Sequence, residues 1–172
     1  SLDGFGDIFY HNQLASGVIP QITASIGPSA GGAVYSPAMT DFVVMVDKIG
    51  TMFVTGPDVV KTVLGEEVSF DELGGAMTHG TKSGVAHFVV KNEYECMDRI
   101  KTLLSYIPQN NTEETSIVLN DDDPNRLDHN IINIMPEDSI KPYDMKEIIY
   151  SIIDNHNFFE IHELFAQNIV VG

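Results

Sequence analysis

Apolar positions along this chain switch between helical spacing and short unbroken runs. Phe5, Ile8 and Phe9 share one side of a predicted helix over Ile8–Leu14, and Gly17 is its stop. Ile19 to Ile26 is a short β-like segment ended by Gly27-Pro28. The run from Gly31 to Tyr35 opens a short helix that Pro37 limits. Phe42-Val43-Val44-Met45-Val46 is uniformly apolar and rich in β-branched residues, the pattern of a strand covered on both faces. Met52–Thr55 and Val85–Val90 read as further strands. Gly56-Pro57 places proline at the first position of a helix that Gly65 closes.

Two later helices carry start signals. Asn92 with Glu95 has capping-box spacing ahead of Cys96, Ile100, Leu103 and Ile107, before Pro108. Asp144 with Glu147 repeats it ahead of Met145, Ile148, Ile149, Ile152 and Ile153. Residues 108–142 are polar, include Asp121-Asp122-Asp123-Pro124 and hold no period, so they read as an acidic linker. Asn168 to Gly172 looks like a strand in its first turn.

Charge narrows the function classes. The 172 residues carry 25 Asp plus Glu against 9 Lys plus Arg, a formal −16. A nucleic-acid binder needs clustered cations to neutralise phosphates, and a polybasic membrane surface needs the same. Both are excluded as expectations. One cysteine forms no internal disulfide, and no Cys/His set has zinc spacing, so no metal is expected. No apolar run approaches the roughly 20 residues of a membrane span. Thirteen of the 14 glycines precede residue 85, so the tight turns are concentrated there.

The densest of these turns is Gly27-Pro28-Ser29-Ala30-Gly31-Gly32-Ala33-Val34-Tyr35, between a predicted strand and a predicted helix. Adjacent glycines let main-chain N–H groups approach a ligand, and a helix start adds unpaired donors. Such a cradle stabilises charge growing on an oxygen, as an oxyanion hole does; the alternative is a turn that only permits close packing. Gly27 to Gly31 also matches G-x-S-x-G, the serine-hydrolase elbow, with Ser29 as nucleophile and His79, His87, His129, His156 or His162 as a possible base. Pro28 argues against that reading by restricting a turn that must be strained. A second glycine-rich stretch, Glu72 to Val85, places His79 either as a base or donor or as a tie for its own loop.

The run Gly27 to Phe42 resembles the carboxyltransferase (β) subunits of biotin-dependent acyl-CoA carboxylases, most of all those acting on propionyl-CoA. The likeness continues through Phe53 to Lys61, Glu72 to Ala76, Thr78-His79, Ser83 to His87 and Leu104 to Pro108. It resumes at Asp154, Phe158 to Ile161 and Asn168 to Gly172. It implies an α/β fold of the crotonase-like (ClpP/crotonase) type, a superhelix of ββα units present in part. Residues 1–107 would be the later part of an N-terminal carboxyltransferase domain, 108–142 the linker, and 143–172 the start of a C-terminal one.

The resemblance also implies a reaction: transfer of a carboxyl group from carboxybiotin to the α-carbon of an acyl-CoA, through an oxyanion-stabilised enolate. Gly31 and Gly32 match the pair that holds the thioester oxygen, with Ala30, Ala33, Tyr35 and His79 as substrate-binding candidates. Biotin would arrive on a separate biotin carboxylase/carrier subunit, and ATP would be used only there. A homo-oligomer, a hexamer by resemblance, would complete the site. A biotin-dependent decarboxylase of the same fold is the alternative. A bacterial cytoplasm or a mitochondrial matrix suits the chemistry.

Overall fold

A computed structural model describes residues 2–138 and 140–172. Its organising strand is β3 (Phe42–Val46), in a parallel sheet of order β1-β3-β5 with β1 (Ile22–Ser25) and β5 (Phe88–Val90). Alternate residues of a strand face opposite sides, so β3 supplies two separate cores. Val43 and Met45 pack with Val34, Met52, Ala76 and Ala86. Val44 and Val46 pack with Phe88, Val90, Cys96 and Leu103. Burial on both faces explains the unbroken apolar run.

Consecutive strands do not pair with each other. β1 pairs with β3, while β2 (Pro28–Ala30) pairs with β4 (Thr51–Phe53), also parallel. Every two consecutive strands lead into a helix: β1 and β2 into a 3₁₀ turn (Gly31–Val34) and α2 (Tyr35–Ala38), β3 and β4 into α3 (Pro57–Leu64). This is a repeating ββα unit. Pro28 therefore begins a strand instead of only ending the preceding one. Its missing N–H is tolerated at a strand's first residue.

The first helix, α1 (Leu2–Ala15), starts well before the predicted Ile8. Phe5 and Phe9 stack at 6.1 Å, and Phe9 meets Tyr35 edge-on at 5.8 Å, so tertiary packing extends it over the 3₁₀ turn. Asn12 ties it down, donating to the Gln21 side chain and accepting from Ser36 Oγ. Gly65 closes α3 in the left-handed region, as its position predicts.

The stretch Glu72 to Val85, read from sequence as a loop, falls largely in helical turns that begin at Phe70: α4 (Phe70–Gly74), α5 (Ala76–Thr78) and a π-helical turn (His79–Ser83). A full Ser69–Glu72 capping box starts them. The helix after β5 is α6 (Glu93–Ser105), capped by Asn92. Glu95 reaches back to the Lys91 N–H, one residue before the cap. Residues 108–142, read from sequence as a linker, contain one short helix among the described residues, α7 (Ile131–Ile134). Beyond it come α8 (Met145–Ile152), capped by Asp144, and a single antiparallel bridge, Ile161 to Val171, in place of the predicted terminal strand. Phe159 packs on Phe88 and Tyr106 at 5.1 and 5.5 Å, joining this segment to the second core.

Candidate active site

The Gly31-Gly32 turn leaves the end of β2. Ala30 is extended (φ −138°, ψ 154°), Gly31 is left-handed at φ +60°, and the 3₁₀ turn begins at once. That reversal needs glycine at 31, because a β-carbon is disfavoured there even though only the Val54 carbonyl lies near, at 3.9 Å. Gly32 is small for another reason: a β-carbon would sit 3.3 Å from the Phe5 ring. The parallel pairing of Ala30 with Phe53 engages the Gly31 N–H with the Phe53 carbonyl, whereas among the described residues no turn, cap or side-chain hydrogen bond engages the Gly32 N–H. Both glycines are half-buried, with Ala30 and Ala33 exposed on either side. A cavity of about 230 Å³ earlier along the same segment is lined by Thr23 to Ser29, Pro37 and Met52, and by neither glycine.

The arrangement offers the Gly32 main-chain N–H, at a turn anchored through Gly31 to β4, and no side-chain acid or base. It suits an oxygen that gains negative charge, whether of a thioester or of a ureido carbonyl. Ser29 does not become a nucleophile. Its hydroxyl donates to the Ala33 carbonyl at 3.1 Å, and no histidine is bonded to it among the described residues. The hydrolase elbow is thus a match in letters only.

Tyr35 begins α2 and is exposed apart from its edge contact with Phe9. His79 is committed at both ring nitrogens. Nε2 lies 2.6 Å from the Met52 carbonyl, which only accepts, so Nε2 carries the proton. Nδ1 then accepts from the Ser83 hydroxyl at 2.8 Å.

Sequence patterns do not single out the pairing of His87 with His162. Their rings lie 4.3 Å apart, and the His162 N–H donates to the His87 carbonyl. His87 Nδ1 accepts from the Val43 N–H at 3.1 Å. Burial, then the neighbouring His162, lowers the His87 pKa to about 4. A separation of 75 positions hides such a pair from any local pattern.

Several proteins resemble this chain in sequence, and solved structures resemble it in fold. The chain is 55% identical over its whole length to the propionyl-CoA carboxylase carboxyltransferase subunit of Haloferax mediterranei, covering 33% of it. It is 49% identical over 99% of its length to the methylmalonyl-CoA decarboxylase subunit alpha of Veillonella parvula, again 33% of that protein. The pig mitochondrial propionyl-CoA carboxylase beta chain is 48% identical over the whole chain, which spans 32% of it. Among solved structures, the transcarboxylase 12S hexamer with hydrolysed methylmalonyl-CoA bound superposes with a TM-score of 0.92 at 45% identity, covering 98% of this chain and 33% of that one. The chain therefore spans about one third of the length of these relatives, and its fold is part of the crotonase-like α/β carboxyltransferase fold. Residues 1–172 match the carboxyl transferase domain along their entire length, and the chain belongs to that family.

Proposed function

We propose that this chain is part of the carboxyltransferase component of a biotin-dependent acyl-CoA carboxylase, with propionyl-CoA converted to methylmalonyl-CoA. The Gly31-Gly32 turn carries the reading: Gly31 takes a left-handed conformation that requires glycine, its N–H tied to strand β4, and the next amide, Gly32, follows at once where the chain leaves β2. In this reading the Gly32 N–H holds the thioester oxygen while negative charge collects on it, and the Gly31 N–H, bonded to the Phe53 carbonyl, fixes the turn that aims it. Backbone donors are already oriented, so no reorganisation accompanies the growth of charge. Ala30 and Ala33 keep the approach clear of bulky side chains, and Tyr35 flanks it. Biotin, brought by a separate carboxylase/carrier subunit that alone uses ATP, supplies the carboxyl group and takes up the α-proton.

Residues 1–107, 108–142 and 143–172 are assigned to the later first domain, the linker and the opening of the second. The relative whose structure is described as a hexamer supports a hexameric homo-oligomer here. No helix among the described residues is long and apolar enough to cross a membrane. We place the reaction in a bacterial cytoplasm, with a mitochondrial matrix as the alternative.

The test uses the full-length subunit with its biotin-carrying partner, ATP, radiolabelled bicarbonate and propionyl-CoA. Gly31→Ala forces a side chain into the left-handed region and turns the Gly32 donor away. Loss of an oxyanion donor lowers kcat by about 10²–10³-fold in comparable sites. Label fixation undiminished in Gly31→Ala refutes the role of the turn. The similarity to a methylmalonyl-CoA decarboxylase subunit supports a second reading, the reverse reaction through the same enolate. Carbon dioxide release from methylmalonyl-CoA without ATP, and no fixation, selects it.

A further inference from the structure

We infer that His79 is a positioning residue for the Gly31-Gly32 turn, acting through strand β4 and touching no substrate. The inference rests on the reading of that turn as the thioester cradle. Strand β2, which ends at the turn, finds its ladder partner in β4, with Ser29 opposite Met52 and Ala30 opposite Phe53. In a parallel ladder, successive residues direct their backbone groups to alternate edges. The Thr51 N–H donates to the Gly27 carbonyl, so Thr51 and Phe53 face β2 and Met52 faces the other way. The outward Met52 carbonyl is the group that His79 Nε2–H engages at 2.6 Å.

The ring is held from its far side as well. Ser83 Oγ–H donates to Nδ1 at 2.8 Å, and the Val85 N–H donates to the same hydroxyl at 3.3 Å. Three hydrogen bonds in series thus run from the chain entering β5, through one imidazole of fixed tautomer, to the outer edge of β4. Backbone bonds fix the histidine's own main chain: its N–H to the Gly75 carbonyl, and its carbonyl to the Ala86 N–H. Gly74 permits this approach, since a β-carbon there would lie 2.1 Å from Met52 O. A π-helical turn is a costly way to present a side chain and is found preferentially at functional sites. With β2 paired to one edge of β4 and His79 bonded to the other, a shift of β4 is transmitted to Ala30 and Gly31. Gly32, packed on Phe5, stays behind.

The experiment uses the full-length subunit with its partner, and measures kcat and the KM for propionyl-CoA. Misplacing a reacting group by about 1 Å costs up to about a hundredfold in rate. We expect His79→Ala to lower kcat roughly ten- to a hundredfold at unchanged KM. His79→Gln retains a donor near the Nε2 position and should restore most of that loss. Ser83→Ala, which breaks only the far link, should fall between. Thermal unfolding of each variant separates the kinetic effect from loss of fold. If His79→Ala proves insoluble, Ser83→Ala and His79→Gln decide.

Wild-type kcat in His79→Ala overturns the inference, as does a His79→Gln as impaired as His79→Ala at full stability. A raised KM with unchanged kcat marks direct contact with acyl-CoA and overturns it too. Gly31→Ala tells the two levels apart. If it is crippled while the His79 variants are normal, only the positioning role falls; if it is normal, the cradle reading has failed.

Discussion

His87 lies where the sheet meets the C-terminal segment, and its proton affinity reports on that junction. Burial and the His162 ring lower its pKa from 6.5 to about 4, while Asp41 and a backbone contact at Val85 oppose the shift. Arg99, Glu160 and Glu163 line the cavity beside the pair. Between about 4 and 6.5 the unfolded chain binds the proton and the folded one does not. Stability therefore declines as pH falls through that window and levels off below it. Urea unfolding of the full-length protein at a series of pH values measures this. His162→Gln removes the neighbouring charge and should raise the His87 pKa, so the loss should set in over a narrower range. Glycine 50 acts through sterics. A β-carbon there would lie 2.3 Å from the Ser25 carbonyl, so Gly50→Ala should cost about 1–3 kcal/mol by thermal unfolding.

At the scale of elements, local chemistry was legible wherever it acts locally. The run Phe42–Val46 is a strand with those bounds, and Gly56-Pro57 with Gly65 brackets α3. The Ser69–Glu72 box escaped notice because the following turns are short and lack a helical apolar period. Ser69 Oγ accepts from the Glu72 N–H and Glu72 accepts from the Ser69 N–H. Ser69→Ala should therefore cost about 1 kcal/mol, read as a lower melting midpoint. Strand β2 was hidden by Pro28, whose missing donor usually excludes a strand interior and is harmless at the first residue. Of the candidate site, the glycine turn at Gly31-Gly32 was legible as a turn between strand and helix, and its proposed thioester role came only from the family resemblance, whereas the fixed tautomer of His79 depends on Met52, 27 residues away.

The whole molecule leaves much apolar surface uncovered. Ile117, Val118 and Leu119 are 84, 73 and 93% exposed, and Tyr10, Leu14, Val18 and Ile19 form a second exposed group at the end of α1. Patches of this kind mark surfaces that bind other protein, and the relatives are three times as long. Expressed alone, the 172-residue chain should self-associate in sedimentation, whereas the full-length protein should give one defined oligomer. A monodisperse monomer of the short chain would contradict this.

Sequence alone determined the buried strand Phe42–Val46, the helix bracketed by Gly56-Pro57 and Gly65, the acidic surface and the glycine turn, because caps, β-branched runs and paired glycines act through neighbours in the chain. Tertiary structure decided which strands pair, with β1 on β3 and β2 on β4. It decided that Ser29 is bonded to a carbonyl and that His79 braces β4. It also brought His87 against His162. Each of these depends on groups distant in sequence meeting within hydrogen-bond or packing range, which no local pattern encodes.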